Sequence, residues 1–209
     1  MTIENLDSAF LSPLNTLPLQ YPSVGEGAPG MLKCVTDLIT PTASGMGSVG
    51  STYRLCRIPA QAKIKRVVID LGGVDTNASA AAVFDINVAF SDSAYDGTQV
   101  ALQSGIPTTA LTGAVTTIGT YSAPNKLFGT LAASNSGAKK YNQDVTFNGT
   151  LAGWYPGGRE LPLWDFFGFV NSQGYAADPN GYMDLLLYLS TAAATAASAP
   201  IAGTVYFVT

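Results

Sequence analysis

The sequence predicts an all-β protein of eight or more short strands, and three observations carry that reading. Residues 83–90, VFDINVAF, alternate strictly, with Val83, Asp85, Asn87 and Ala89 on one face and Phe84, Ile86, Val88 and Phe90 on the other. A two-residue period rich in β-branched and aromatic side chains marks a strand with one face on a core. The other β-prone runs are short and end at Pro or Gly, which punctuate strands. Helix signals are scarce, and no motif recurs at the ~20–50-residue periods of solenoids and propellers.

Residues 1–30 stand apart. The run SAFLSPLNTLPLQYPSVGEGAPG sets Pro13, Pro18, Pro22 and Pro29 among Phe10, Leu11, Leu14, Leu17, Leu19 and Tyr21. Prolines at this spacing exclude a regular helix and a central strand, yet the apolar residues require burial. An extended arm packed on a surface, of its own domain or of a neighbour, meets both demands. Residues 31–209 then form the β domain.

Met31–Thr40 reads as the first strand, closed by Pro41, and PTASGMGSVGS as a flexible link. Thr52–Ile58 and Lys63–Leu71, joined by the short PAQA connection, are expected to pair; Gly72 and Gly73 end the second. Strand 83–90 follows, one face expected to meet a core and its Asp and Asn face to stay polar. Residues 91–160 are dominated by Gly, Ser, Thr, Ala and Asn. A structureless loop of that length is unusual in a compact domain, so we expect an insertion with strands of its own, at sites such as Ala114–Tyr121 and Asp144–Phe147. In Glu160–Phe167, Pro162 suits a first helical turn and Gly168 its end, predicting one short helix. Asp178-Pro179-Asn180-Gly181 is a turn. Tyr182–Ser190 and Gly203–Thr209 are strands, and the small-residue stretch between them suits a helix by alanine propensity or a loose β connection.

Composition excludes several classes of function. The chain has 209 residues, enough to bury about 70% of its extended surface. Hydrophobic residues make up 47% and charged residues 11%, where about a quarter charged is usual. Such a chain is not disordered, and it has too little charge to cover a fully wetted surface, so other protein is expected to cover part of it. Histidine is absent, which removes the usual proton shuttle, His-dependent triads and common zinc sites. A net charge of −4 argues against nucleic acid as a partner. Cys34 and Cys56 form neither a disulfide framework nor a metal cluster and are expected as reduced, buried thiols of a cytosolic chain. Residues 1–20 contain no Lys or Arg, so no basic secretory leader is seen. The charge-free stretches 97–125 and 185–209 are broken by Gly, Pro, Ser and Thr and do not suit a membrane span.

No motif carries chemistry. Gly45-Met46-Gly47-Ser48-Val49-Gly50 fits G-x-G-x-x-G, with Asp70 twenty positions beyond. The dinucleotide mechanism needs those glycines to open a helix, whereas here they lead into the β-prone STYRLCRIP. Ser48 lacks the first glycine of a nucleophile elbow and has no histidine base. Glu160 and Asp165, beside Trp164, imitate a sugar-cleaving pair, but Trp164, Phe166 and Phe167 read better as a core plug. The sequons at Asn77 and Asn148 stay bare in a cytosolic chain. No catalytic residue, cofactor or metal is expected, and the chain does not read as an enzyme.

Charge placement says more. Arg54, Arg57, Lys63, Lys65 and Arg66 place half of the ten basic residues within thirteen positions. They form either an ordinary solvated face or a contact that orients an acidic protein partner.

The stretch YRLCRIPAQAKIKRVVIDLGGVDTNASAAAVFDINVAFSD, with RELPLWDFFGFV, DPNGYMDLLLYLS and the closing GTVYFVT, resembles the head decoration or cement proteins of tailed bacteriophages. The similarity covers about 100 residues, mostly 52–92 and 159–209. It implies a jelly-roll-like antiparallel β sandwich on the outside of an icosahedral capsid, made in the host cytoplasm. Its partner would be the major capsid protein, whose neighbouring subunits it clamps, with a dimer or trimer as its own state and neither nucleic acid nor membrane involved. Candidate contact residues are then Phe10, Leu11, Leu14, Leu17, Leu19 and Tyr21 of the arm and the five basic residues. The alternative is a tail or head-fibre protein that binds host glycans through Trp154, Tyr155 and Trp164.

Overall fold

The structure, a computed structural model, describes residues 5–7, 32–90, 128–146, 162–163 and 182–209. Nine strands lie among them: β1 (Asn5–Asp7), β2 (Lys33–Ile39), β3 (Thr52–Pro59), β4 (Lys63–Leu71), β5 (Val83–Phe90), β6 (Thr130–Ala132), β7 (Lys140–Asp144), β8 (Tyr182–Thr191) and β9 (Ile201–Val208). They form two sheets, ordered β1-β3-β8-β5-β6 and β2-β9-β4-β7. Four antiparallel pairings are nested: β2 with β9, β3 with β8, β4 with β7, and β5 with β6. Strands β2 to β9 thus form one long two-stranded ribbon, rolled until β4 also meets β9 and β5 meets β8. That winding is the jelly roll.

Strand alternation fills the space between the sheets. Ile201, Gly203, Val205 and Phe207 of β9 face Met183, Leu185, Leu187 and Leu189 of β8, all buried. Tyr53 and Phe84 meet edge to face at 6.3 Å. Burying each such large side chain contributes about 1.5–3 kcal/mol. At Gly203 a Cβ would press on Leu185, Leu55 and Cys56, so a glycine lets the sheets approach there. In β3 a bulge between Leu55 and Arg57 puts Cys56 at φ 48°. Its amide turns out of the ladder toward Asp37 on the facing sheet, at 3.3 Å.

Several expectations need correction. Thr52–Pro59 and Lys63–Leu71 do not pair; the turn between them crosses from one sheet to the other. Both strands carry apolar residues that must face a core, and the crossing buries Leu55 and Ile58 in one sheet and Ile64 and Val67 in the other instead of laying them on one flat hairpin. The glycine-rich link is a built structure. Thr42 Oγ1 accepts from the Gly45 amide at 3.0 Å, capping a one-turn helix, α1 (Ala43–Met46). Met46 is fully buried, and its sulfur accepts from the Tyr53 hydroxyl at 3.6 Å. The polar face of β5 is buried as well: Asp85 and Asn87 are inside, and Ser190 donates to Asp85 at 3.0 Å.

From the range read as an insertion, Thr130–Ala132 and Lys140–Asp144 pair with β5 and β4 as strands of the sandwich itself. The connection 192–200 forms no helix, only a bridge from Ala196 to Asp75. Most of the arm, the strand expected at 114–121, most of the helix expected at 160–167 and the turn at 178–181 lie outside the described residues.

Alternating strand directions sort the connections by end. Segments 40–51, 72–82, 133–139 and 192–200 gather at one end; the start of β2, the 60–62 turn and Thr209 lie at the other. At the first end Gly73 packs against the backbone of Gly137, where a Cβ would overlap the Gly137 carbonyl oxygen. Gly73→Ala should therefore lower stability by about 1–3 kcal/mol, read as a fall in thermal midpoint of several degrees.

Candidate interaction surface

The five basic residues divide between the sheets. Arg57 of β3 grips Asp184 of β8 with two bonds, Nε to Oδ1 at 2.8 Å and Nη2 to Oδ2 at 2.9 Å. Arg54 approaches the same carboxylate at 3.6 Å. Asp184 is fully buried and Arg54 nearly so. Paired, bidentate geometry is what allows a carboxylate to be dehydrated, so these two arginines serve the interior. Lys63, Lys65 and Arg66 lie on β4. Arg66 bonds Asp144 at 2.8 Å and lies 5.9 Å from the Tyr206 ring centre; half-exposed, such a pair contributes under about 1 kcal/mol. Burial pushes the Asp144 carboxyl up, but the hydroxyl and amide of Thr146 and the Arg66 guanidinium outweigh it and hold it below the usual carboxylate range.

Strand register adds a cation that sequence spacing conceals. Lys33 sits opposite Phe207 and Lys63 opposite Val208, so the two lysines flank the last residues of β9. The Lys33 amine donates to Thr209 Oγ1 at 2.8 Å. Lys33, Lys63 and Lys65 thus gather at the end where the chain enters β2 from the arm. The arm residues Phe10 to Tyr21, along with Trp154, Tyr155, Glu160, Trp164 and Asp165, lie outside the described residues.

The outward residues of β2 and β9 are themselves uncharged, with the Arg66 guanidinium of β4 lying over Tyr206 at their margin. Cys34, Thr36 and Leu38 are exposed and sit opposite Tyr206, Thr204 and Ala202; Thr36 and Thr204 share a hydroxyl bond at 3.0 Å. Cys34 is therefore exposed, not buried as expected, because its position in β2 points outward. Cys56 is buried in the other sheet, and both thiols are free. Burial and nearby Asp37 push the Cys56 thiol well above its ordinary value, and it donates to the Gly203 carbonyl at 3.1 Å.

Asp75 organises the closed end. Its fully buried carboxylate accepts five backbone amides: Asn77 and Thr195 on Oδ1, and Ala81, Ala82 and Ala194 on Oδ2, at 2.8–3.2 Å. Its own carbonyl accepts from Gly137, and Asn77 accepts from Ser136. Three connections distant in sequence are thereby sewn into one plate. Burial alone would raise the Asp75 carboxyl, but the amides of Thr195, Ala81, Ala194 and Asn77 win and hold it far below the carboxylate range. Among the described residues no group of three or more His, Cys, Asp or Glu side chains is placed to hold a metal ion.

No family model and no curated protein matches the chain. Two solved structures align along most of it. The capsid of Ralstonia phage GP4 is 14% identical with a TM-score of 0.45, covering 98% of this chain and 97% of that one. The capsid asymmetric unit of cyanophage Pam1 is 16% identical with a TM-score of 0.40, covering 93% and 97%. Likeness this distant bears on neither the fold nor the role of this chain.

Two substitutions test the internal carboxylates. Asp75→Asn presents an amide N–H to donors that need an acceptor and should cost about 3 kcal/mol at neutral pH. Because the folded carboxyl is depressed, the native contribution is complete above the ordinary value near ~4 and fades as pH falls through the folded one. The gap between the two proteins in urea titrations should accordingly narrow below about pH 4. Arg57→Ala leaves Asp184 buried with a weaker counter-charge and should cost about 3–5 kcal/mol by the same measurement.

Proposed function

We propose that this chain is a structural virion protein, a head decoration or cement protein that sits outside an icosahedral phage capsid and clamps neighbouring major capsid subunits. The observation that carries the reading is the pairing of an outer sheet face whose β2 and β9 residues are uncharged with an apolar, proline-rich arm. The face lies on β2 and β9, and the arm enters at the start of β2. Permanent contacts have this chemistry, resembling a core cut in half. Prolines limit the arm's freedom before it docks, so less entropy is lost on binding.

The resemblance to decoration proteins supports the same reading. Its two stretches contain β3, β4, β5, β8 and β9, the frame of the roll. Jelly rolls recur in viral capsid proteins, though also in lectins and cupins, so the fold agrees with the proposal without deciding it. In this reading Lys33, Lys63 and Lys65 orient docking on an acidic patch of the major capsid protein. The arm supplies the apolar anchor, and a dimer or trimer places equivalent arms around a symmetry axis.

Deleting residues 2–24 and measuring retention on purified capsid shells tests the reading. Affinity should fall by about tenfold or more, ~1.4 kcal/mol; undiminished occupancy would refute the role of the arm. The intact chain should be silent on a glycan array, and specific sugar binding there would favour a fibre protein instead.

A further inference from the structure

One pairing breaks the pattern of the fold. Among the described residues every strand pair is antiparallel except that of β1, which runs parallel to β3 with Asn5 opposite Thr52, Leu6 opposite Tyr53 and Asp7 opposite Arg54. β1 has three residues and sits at the outer edge of the five-stranded sheet. Parallel neighbours need a crossover, and here residues 8–32 supply one of 25 residues.

That connection is far longer than its task. From Asp7, opposite Arg54, the chain must travel the remaining length of β3, about 17 Å, and cross about 10 Å to the start of β2 in the facing sheet. About eight extended residues cover that path. Twenty-five residues reach about 75 Å at the rise of a proline-rich chain, while a domain of this size is about 40 Å across. The connection is long enough to place Asn5–Asp7 on a neighbouring copy.

The acceptor edge is held by contacts that do not involve the donor. Tyr53 is fully buried against Phe84, Arg54 is fixed on Asp184, and Ser51 Oγ lies 2.9 Å from the carbonyl oxygens of both Gly45 and Ser48, which share its one proton. A rigid edge facing a short donor strand is the arrangement that favours β-augmentation. Exchanging an identical element between copies keeps every contact and is a low-cost route to an oligomer.

From this we infer strand exchange: in the oligomer, the edge of β3 is occupied by Asn5–Asp7 of a second copy of this chain. This deepens the arm's role proposed above by naming its donor and acceptor, and it needs no capsid. Once copies are held side by side, the tether keeps the donor at an effective concentration on the order of millimolar. A three-residue strand frays fast enough to exchange without global unfolding.

Paired cysteines test it. In a Cys34→Ser background, one chain carries Asn5→Cys and another Thr52→Cys, and the two are mixed, concentrated and oxidised. Cys56 is buried and its thiol stays protonated, so it remains silent. We expect a covalent dimer joining the two variants. The inference is overturned if the mixture stays uncrosslinked at every concentration while a chain carrying both cysteines closes on itself as a monomer. As a second measurement, deleting residues 2–7 should reduce the oligomer in size-exclusion chromatography with little change in thermal midpoint; an unchanged oligomer would count against exchange. A crosslinked dimer together with undiminished capsid retention of the 2–24 deletion would leave exchange standing and remove the capsid role of the arm.

Discussion

Buried aspartates hold this sandwich in register. A carboxylate out of water is tolerable only where donors replace its hydration, and each of four sites meets that condition differently. Asp184 is neutralised by arginine on the neighbouring strand. Asp75 is saturated by amides of two connections. Asp85 accepts a hydroxyl from β8, and Asp37 takes the bulged Cys56 amide from the opposite sheet. Each dictates where several donors must lie, so together they select one arrangement of strands from the many that apolar alternation would permit. They also account for where some of the few charges go: these four carboxylates work inside, and the outward residues of β2 and β9 carry none.

What the sequence made legible was local. Lys63–Leu71 was bounded correctly and Val83–Phe90 had its faces assigned, because period-two alternation is a property of neighbouring residues. Which strand pairs with which is not local. The PAQA turn looks like a hairpin until the apolar faces of both strands must be buried at once. Thr130–Ala132 is too short for periodicity to register, and its role as an edge strand follows only from β5. Asp75 carried no signal, since two of its five donors, Ala194 and Thr195, lie 119 and 120 positions away. A reducing compartment accounts for a free Cys34 but not for its side of the strand, which it shares with outward Thr36 and Leu38.

The candidate surface was partly legible in the same sense. The density of basic residues in 54–66 was visible, but linear density mixed two populations. Two arginines face a buried carboxylate in one sheet, and the lysines stand at the arm end of the other. Only register brings Lys33 to Lys63 across β9. The molecule is consequently polarised, with one end locked by short hydrogen-bonded connections and the other assembling the lysines, the arm junction and the final residue.

The nested ribbon has a consequence for how the protein is made. β9 lies between β2 and β4, and its residues meet partners as far apart in sequence as Lys33 and Phe207. Until Ile201–Val208 leaves the ribosome, the four-stranded sheet lacks its central member and cannot close. Contacts of such long sequence separation form slowly, and a nascent chain waiting for them exposes strand edges to its neighbours. A chain cut short before residue 201 keeps the residues of β2 and β4 but lacks the strand that joins them.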